Sequence, residues 1–327
     1  MKALVTGAGA VLGQGIIKSL RQSTLTCEIV AADPNPLSAG LYWADSAYRL
    51  PFANDPAFGD RITEIIDREQ PDVVLVGTDV ELTYFAEHRR ALEATFNTHV
   101  IVSDPRVIAI ADDKLETCRF FTDAGLNPPQ SARGEDAAAV AALVDAVGFP
   151  LVVKPRNGAR SVGMSVVRDH GALGRALDGH SGLVVQECVG DDDCEFTASV
   201  LVFDGEAQAS ITMRRDLRDG NTYRAYTGEY EALNRAVRAF GTALRPHGPA
   251  NFQFRTGPDG TPRVFEINAR FSGTTPMRAM AGFNEVEMCI RKLLFGEAIC
   301  QPAIRSGVIL RFLDELFVPH ERIDNVS

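Results

Sequence analysis

Three polar residues stand at alternate positions near the end of the chain. Glu266, Asn268 and Arg270 alternate with the apolar Phe265 and Ile267. Because successive side chains of a strand point to opposite faces, we expect the three polar residues on one face and the two apolar ones in the core. Carboxylate and amide oxygens suit Mg²⁺, and a guanidinium suits a phosphoryl group. The pattern therefore predicts a place where a metal ion and a phosphoryl group meet.

A second alternating run comes just before this one. It covers residues 251–255, and a turn signal with two glycines, a proline and an aspartate follows at 256–260. Two alternating runs joined in this way predict a β-hairpin, which would place Gln253 on the face that carries Glu266. At this point an ordinary hairpin with a solvated polar face remains the alternative.

Two lysines stand where an anion would be bound. Lys114 lies in the first turn of a predicted helix, where the helix dipole disfavours a cation. Lys154 ends a predicted strand, and the loop after it contains Gly158 and Gly163, whose flexibility would let backbone N–H groups fold over phosphates. The loop does not have the P-loop order. The alternatives are a solvated lysine and a long hairpin loop.

The next predicted strand, residues 183–190, turns polar at its end. We interpret it as a sheet edge that offers backbone groups to an adenine, with Gln186 or Glu187 at the exocyclic amine. Glu195 then begins another strand, and its carboxylate is suited to accept hydrogen bonds from ribose hydroxyls. Together these residues predict a nucleoside site.

The N-terminus predicts an open α/β domain. A strand, a glycine turn at 7–15, a helix and a second strand that ends in Asp33 form a β-α-β unit of the kind that binds dinucleotides. The glycines read GxGxxxG, one residue longer than the dinucleotide fingerprint, so a simple tight turn is the alternative. Past the third strand, we expect Asp79 to cap the next helix and leave Glu81 open as a substrate contact. Alternating strands and helices predict a parallel, doubly wound sheet.

The composition sets limits on the class of protein. A chain of 327 residues is expected to form two or three domains. The net charge of −10 argues against a nucleic-acid partner, which needs a basic face. No apolar run approaches a membrane span, and the first residues do not resemble a signal peptide. The six cysteines form no CxxC pair, so we expect reduced thiols in a cytoplasmic protein.

The order of these parts resembles the ATP-grasp superfamily. The order is a lysine, a lysine before a glycine loop, a strand that ends in Gln-Glu, a carboxylate, a glutamine and then Glu-x-Asn-x-Arg. The likeness is to a synthetase half of the carbamoyl phosphate synthetase large subunit and to short ATP-grasp ligases, and it covers nearly the whole chain. It implies an α/β protein, α+β in its ATP-grasp part. A Rossmann-like pre-ATP-grasp domain (1–106) would precede a small subdomain with the glycine loop (107–189) and a large subdomain with the metal site and a last strand (190–327).

The resemblance also implies roles for individual residues. The nucleotide contacts would be Lys114, Lys154, Gly158, Gly163, Gln186, Glu187, Val189 and Glu195, with 158–163 as a lid over the phosphates. Gln253, Glu266 and Asn268 would hold two Mg²⁺ ions, with Mn²⁺ as a possible substitute. Arg270 and Lys154 would be catalytic and stabilise the transferred phosphoryl group. Which arginine of 214–224 approaches the phosphates stays open.

The implied activity is ATP-dependent ligation of a carboxylate to an amine through an acyl phosphate, which yields an amide or peptide, ADP and phosphate. The partners would be small-molecule carboxylates and amines, without nucleic acid or membrane, in a possible homodimer. Two alternatives remain at this stage. One is a nicotinamide-dependent oxidoreductase that uses the glycine turn, and the other is a non-catalytic ATP-binding regulatory protein.

Overall fold

A five-stranded parallel sheet forms the first third of the chain in the computed structural model, which describes residues 1–158 and 162–326. Its strand order is β3-β2-β1-β4-β5, with every pair parallel, as the alternation of strands and helices predicts. Strand β3 was not predicted, so the strand predicted third along the chain is β4. The elements are β1 Lys2–Val5, α1 Val11–Arg21, β2 Glu28–Asp33, α2 Ala39–Tyr42, β3 Ser46–Arg49, α3 Phe58–Glu69, β4 Val73–Leu75, a 3₁₀ turn Asp79–Glu81, α4 Leu82–Phe96 and β5 His99–Ile101.

A small antiparallel sheet follows, with strand order β6-β9-β7-β8. Two helices lead into it, and the second begins at Lys114, as the sequence predicts. Its elements are α5 Pro105–Asp112, α6 Lys114–Asp123, β6 Ser131–Arg133, α7 Ala137–Val147, β7 Leu151–Pro155, β8 Ser165–Val167, α8 His170–Leu177 and β9 Leu183–Glu187.

A six-stranded antiparallel sheet completes the chain, with order β14-β13-β10-β11-β12-β15. The predicted hairpin is present as β13 and β14, and the predicted last strand pairs with β12 at the sheet edge. The elements are a 3₁₀ turn Asp192–Cys194, β10 Glu195–Phe203, β11 Glu206–Arg218, β12 Asn221–Thr227, α9 Glu231–Leu244, β13 Gly248–Thr256, β14 Pro262–Asn268, α10 Thr275–Met280, α11 Glu285–Phe295, β15 Gly307–Leu310 and α12 His320–Asp324.

The hydrophobic core joins the first and last sheets and leaves the small sheet separate. Leu4 and Val74, from one face of the parallel sheet, belong to the same buried cluster as Phe252 of the large sheet. The opposite face packs in a second cluster with residues such as Ile211. The small sheet has its own cluster around Leu151. Because apolar burial is the main stabilising term, this division leaves a cleft between the small and large sheets.

Two further findings concern the chain as a whole. Among the described residues, no helix combines the length and the apolar character that a bilayer span requires. All six cysteines are free thiols, and Cys118 and Cys289 are buried.

Candidate nucleotide and metal site

The cleft between the small and large sheets has a volume of about 1060 Å³. Its walls carry both polar side chains and apolar ones such as Val162, Met164 and Leu217. Most of the predicted site residues line it, whereas Gly163, Asn268 and Arg270 do not. The predicted residues in its walls are Lys114, Lys154, Gly158, Gln186, Glu187, Val189, Glu195, Gln253 and Glu266.

Lys154 is the penultimate residue of β7 and is buried, with 7% of its surface exposed. Its Nζ donates to Gln186 Oε1 at 2.8 Å and lies 5.2 Å from the centre of the Phe265 ring. Burial lowers the pKa of Lys154 to about 8, although the Glu266 carboxylate acts in the opposite direction. Burial removes the water that would stabilise the ammonium group. A bound anion would stabilise the charged form instead.

Lys114 is the first residue of α6 and is buried, so it is not the solvated surface lysine that remained an alternative. Its Nζ donates to the Gly158 carbonyl at 2.7 Å and to the Arg156 carbonyl at 3.4 Å. Asp113 caps the same helix and also pairs with the Arg156 guanidinium. These contacts attach the start of the glycine loop to α6. Residues 159–161 of the predicted lid lie outside the described residues.

The interpretation of the strand at 183–190 as a sheet edge is wrong. β9 lies between β6 and β7, and both neighbours pair with its backbone N–H and C=O groups. The Gln186 side chain, 2% exposed, accepts from Lys154 and donates to Ser131 Oγ at 2.9 Å. Glu187 accepts the backbone N–H of Gln130 at 3.0 Å. The backbone that faces the cleft beyond the strand is that of Cys188 and Val189.

Glu195 begins β10 and is held by two arginines. Arg215 donates to its Oε1 at 2.8 Å, and Arg255 donates to its Oε2 at 2.8 Å. Arg215 also donates to Gln253 Oε1 at 2.6 Å, so it connects the predicted ribose acceptor with the predicted metal ligands. The sequence left open which arginine of 214–224 approaches the site. Arg215 is the one that reaches the metal-ligand set, from the middle strand β11.

The β13–β14 hairpin brings Gln253 opposite Glu266, as the sequence predicts. The prediction that Phe265 points into the core is wrong. The register shifts between Gln253 and Phe254, so that Phe254 pairs with Val264 and Phe265 is the extra residue of a bulge. Its ring turns into the cleft wall, where it faces Lys154.

Gln253, Glu266 and Asn268 are in direct contact. Glu266 Oε1 accepts from Gln253 Nε2 at 2.8 Å and from Asn268 Nδ2 at 3.0 Å. One carboxylate and two side-chain amides form a hard, oxygen-rich donor set with low net charge. Such a set fits Mg²⁺ that receives most of its negative ligands from phosphates, as is usual for this ion. The donor types therefore fit the predicted metal. The amide oxygens of Gln253 and Asn268 accept from Arg215 and Arg270, so metal binding requires both amides to turn.

Arg270 lies two residues past the end of β14 and forms a bidentate ion pair with Asp79. Nε and Nη2 donate to the two carboxylate oxygens at 2.6 and 3.0 Å. Nη2 also donates to Asn268 Oδ1 at 2.7 Å. The expectation that Asp79 caps the following helix is wrong, because Asp79 begins a 3₁₀ turn and its side chain caps nothing. The parallel sheet thus contributes a carboxylate that orients the arginine next to the metal-ligand set.

A buried polar network lies behind the hairpin and was not predicted. Arg278 and Glu285 are both 0% exposed and form an ion pair at 2.7 Å. Arg278 Nη1 donates to Asn251 Oδ1 at 3.0 Å, and Asn251 pairs in register with Asn268 on β14. Ser199 donates to Glu285 from β10. The network therefore connects α10 and α11 to the strands that carry the metal-ligand set. In the sequence, Arg278 and Glu285 lie in segments with helical spacing, and nothing there indicates that they form a buried pair.

The glycine turn of the first sheet is closed on itself. The Gly9 N–H donates to Asp33 Oδ2 at 2.6 Å, and Ser38 Oγ donates to Asp33 Oδ1 at 2.6 Å. A Cβ at Gly9 would lie 2.1 Å from Ser38 Oγ, so glycine is needed for this close approach. The acidic residue that would bind a ribose is thus used to hold the turn. This arrangement favours the tight-turn interpretation over the dinucleotide site.

Glu81 lies at the carboxyl end of the same sheet and is buried. It accepts a hydrogen bond from Thr6 Oγ1 at 2.5 Å. Burial raises the pKa of Glu81 to about 7, and the nearby Asp33 carboxylate raises it further, against the effect of Thr6. Glu81 does not line the cleft, so its possible role as a substrate contact stays a prediction.

Comparisons with known proteins agree with this arrangement. Residues 182–315 match a family model described as ATP-grasp in the biosynthetic pathway with Ter operon, and residues 3–101 match a PylC-like N-terminal domain. The ATP-grasp model thus covers the strands that carry Glu195, Gln253, Glu266 and Asn268. The predicted resemblance to ATP-grasp proteins is confirmed over these residues.

Sequence relatives include two carbamoyl phosphate synthase large chains. That of Ralstonia nicotianae is 25% identical and that of Haemophilus ducreyi 24% identical. In both cases the match covers 94% of this chain and 30% of the relative. The chain therefore spans about three tenths of the length of these relatives, and their whole activity does not transfer directly.

Solved structures share the fold over most of the chain. N5-carboxyaminoimidazole synthetase from Staphylococcus aureus, complexed with ADP, matches with TM-score 0.74 and 14% identity, over 95% of this chain and 82% of that one. The biotin carboxylase domain dimer of 2-oxoglutarate carboxylase from Hydrogenobacter thermophilus, complexed with MgADP, ADP and bicarbonate, matches with TM-score 0.72 and 18% identity, over 94% and 73%. L-amino acid ligase from Bacillus licheniformis matches with TM-score 0.69 and 20% identity, over 91% and 75%. The predicted fold class is confirmed.

Proposed function

We propose that this protein is an ATP-dependent ligase that activates a carboxylate as an acyl phosphate and joins it to an amine. Two sets of hydrogen bonds carry the proposal. One joins Lys154 to Gln186 in the cleft wall. The other runs from Gln253 through Glu266 and Asn268 to Arg270. Neighbours of the same fold include an L-amino acid ligase, and two others were solved with ADP or with MgADP.

ATP would enter the cleft with its adenine beside the backbone of Cys188 and Val189. Its phosphates would then extend towards Lys154 and the start of the glycine loop. Lys154 supplies a positive charge from an apolar surrounding, where electrostatic attraction is stronger than in water. Glu195 would accept ribose hydroxyls only in competition with Arg215 and Arg255, so this part of the proposal requires one of its two ion pairs to give way.

Gln253, Glu266 and Asn268 would hold magnesium, which when bound neutralises charge on the β- and γ-phosphates. Glu266 has no cationic side chain as a hydrogen-bond partner among the described residues, and its Oε1 accepts only from the two amides. Its carboxylate charge is therefore available for a cation. We propose two ions, as the resemblance implies, with Mn²⁺ as a substitute.

Arg270 would orient the carboxylate and the transferred phosphoryl group. An oxygen of the carboxylate attacks the γ-phosphorus, and ADP leaves with the electrons of the broken P–O bond. The amine then attacks the carbonyl carbon, loses a proton, and phosphate leaves. The chain contributes positioning and charge to both steps, because Asp79 and Asn268 hold the Arg270 guanidinium in one orientation.

The test is Mg²⁺-dependent release of ADP and phosphate from ATP, with a panel of carboxylates and amines, for the wild type and for Glu266→Ala. We expect one acid–amine pair to stimulate release, and the substitution to reduce the stimulated rate at least a hundredfold, as loss of a metal ligand or an electrostatic stabiliser typically does. Glu297→Ala, which alters an exposed ion pair far along the chain, is the matched control and should behave as the wild type. Equal turnover by Glu266→Ala would refute the proposed site.

The remaining predictions about organisation join this proposal. We propose domain limits of 1–106, 107–189 and 190–327, a cytoplasmic location, and small molecules as the only substrates. Six free thiols and the net charge of −10 support the last two points. Limited proteolysis with mass spectrometry tests the limits, and cuts confined to other positions would contradict them.

A further inference from the structure

Arg311 lies directly after β15, where three parts of the chain meet. Its backbone N–H donates to the Tyr223 carbonyl of β12 at 3.0 Å. Its Nη2 donates to the carbonyl of Gly273, three residues after Arg270. A Cβ at Gly273 would lie 3.2 Å from Val11 Cγ1 at the start of α1, so this loop rests on the glycine turn of the first sheet. Arg311 is thus placed between the large sheet, the loop after Arg270 and the parallel sheet.

Arg311 differs from every other arginine that the structure describes as buried or partly buried. Each of the other eleven has a carboxylate oxygen within 4.0 Å. Within residues 1–158 and 162–326, Arg311 has no such partner. Burial therefore lowers the pKa of Arg311, and no neighbouring acid offsets the effect. A partly buried cation without a counter-charge is unfavourable, which indicates a position prepared for an anion.

The side chain also has unused donors. An arginine offers five N–H groups in a planar fork that matches the two oxygens of a carboxylate. Among the described residues, the Gly273 carbonyl is the one acceptor that the guanidinium contacts. Arg311 is only partly buried, so part of its side chain is in contact with solvent. Geometry and charge together leave room for a bidentate carboxylate.

Arg270 cannot serve as this second anion site. The proposed function already assigns this arginine to the reacting carboxylate and the phosphoryl group, so a further anionic group needs another partner. Arg311 approaches from the opposite end of the loop 271–273. A substrate that spans this loop would present two separate anionic groups to two separate arginines.

We propose that Arg311 binds a substrate carboxylate that is not phosphorylated in the reaction. The inference rests on the proposed ligase function and deepens it, because it names the substrate class. The carboxylate has two possible sources with the same chemistry. It belongs either to an amino acid that acts as the amine, or to a dicarboxylic acid of which only one end is activated.

Isothermal titration of the full chain, saturated with Mg²⁺ and ADP, reads this site without turnover. The probes are the twenty amino acids and short dicarboxylates, each beside the amide in which that carboxylate is neutralised, such as glycine with glycinamide and succinate with succinamate. We expect at least one acid to bind roughly 10- to 100-fold more tightly than its amide, the range of a charge-assisted hydrogen bond. A preference among amino acids identifies the amine substrate as the source, and a preference among dicarboxylates identifies the activated acid.

Three variants make the test specific. Arg311→Gln should bind the acid and the amide equally, and Arg311→Lys should keep part of the difference because the charge remains without the fork. Arg305→Gln is the matched control, since Arg305 also donates to a backbone carbonyl, that of Met280, but is exposed. It should keep the wild-type difference. Circular dichroism verifies that each variant is folded, and Arg311→Lys carries the test if Arg311→Gln is not.

The proposal is overturned if no acid of the panel binds to protein that binds ADP, if acids and amides bind equally, or if Arg311→Gln retains the difference. A separate assay of ADP release from ATP, with the same acids and variants, separates this outcome from failure of the ligase function. Release that depends on Glu266 but not on Arg311 would retain the function and remove the anion site. Arg311-dependent binding without any release would retain the site and remove the function.

Discussion

The buried pair of Arg278 and Glu285 gives a prediction whose size follows from the structure. Glu285 accepts from two nitrogens of Arg278, at 3.1 and 2.7 Å, and also from Ser199 and Thr275. Substitution of Glu285 by alanine leaves a fully buried guanidinium without a carboxylate. Its remaining partners are neutral oxygens, among them Asn251 Oδ1 at 3.0 Å.

The expected loss is about 3–5 kcal/mol of unfolding free energy, because removal of one partner leaves an uncompensated buried charge. The pair is not exposed to solvent, so screening does not reduce this value. In a cooperative unit of 150–250 residues, each kcal/mol shifts the melting temperature by roughly 2–4 °C. We therefore expect Glu285→Ala to melt roughly 6–20 °C below the wild type.

Thermal unfolding followed by circular dichroism measures this shift. Glu297→Ala is the control from the same region, because Glu297 pairs with Arg291 while both side chains stay partly exposed at 48% and 32%. Its loss should cost less than about 1 kcal/mol and shift the melting temperature by no more than roughly 4 °C. Similar shifts for the two variants would refute the argument that burial, and not the ion pair itself, determines the cost.

Three further predictions concern the site and the first sheet. ADP affinity should fall as the pH rises through about 8, because Lys154, whose charged or titratable neighbours are Glu266, Glu195, Cys118 and Lys114, loses its proton there. In calorimetric titrations, Lys154→Met should bind ADP weakly at every pH between 6.5 and 9.5. A pH step in the ADP affinity of this variant would contradict the assignment. The unfolding free energy of the wild type should decrease by about 3 kcal/mol between pH 4.5 and 7, because the folded state holds the Glu81 proton more tightly than the unfolded state; denaturant titrations of Glu81→Gln should lack this contribution. Asp79→Asn should lower the rate of stimulated ADP release at least tenfold, because it removes the carboxylate that orients Arg270. ADP affinity should stay unchanged, because Asp79 is not a residue of the cleft wall. An unchanged rate of ADP release would show that Arg270 does not need the Asp79 carboxylate.

Much of the architecture follows from local patterns. Buried apolar runs with helices between them specify the parallel sheet, and strand β10 begins and ends where the pattern places it, at Glu195 and Phe203. The short strands β3 and β6 were missed because neither contains a run of apolar residues, in contrast to the equally short β1 and β4. The assignment of β9 to a sheet edge failed because the sequence of a strand does not show which other strands will pair with it.

The candidate site also combines features that follow from local sequence with features that depend on tertiary packing. Residue types and spacing proposed Lys154 and the pair of Gln253 and Glu266 as candidates, because side-chain alternation and turn chemistry are local properties. The roles of these residues stay predictions that the family resemblance implies. The cleft wall that most of them share depends on how the small sheet packs against the large one. The bulge that turns Phe265 out of the core also arises from pairing with β13, a neighbour that the strand's own alternation does not include.

The polar contacts between distant parts of the chain were decided only by its tertiary structure. Asp79 meets Arg270 across 191 positions of sequence, and Arg311 reaches the Gly273 carbonyl across 38. The sequence by itself determined the fold class, the order of the ATP-grasp residues and which of them carry charge. It did not determine which charges neutralise one another, because Coulomb interactions and desolvation depend on distance and burial in space, and those distances exist only after the three sheets have packed.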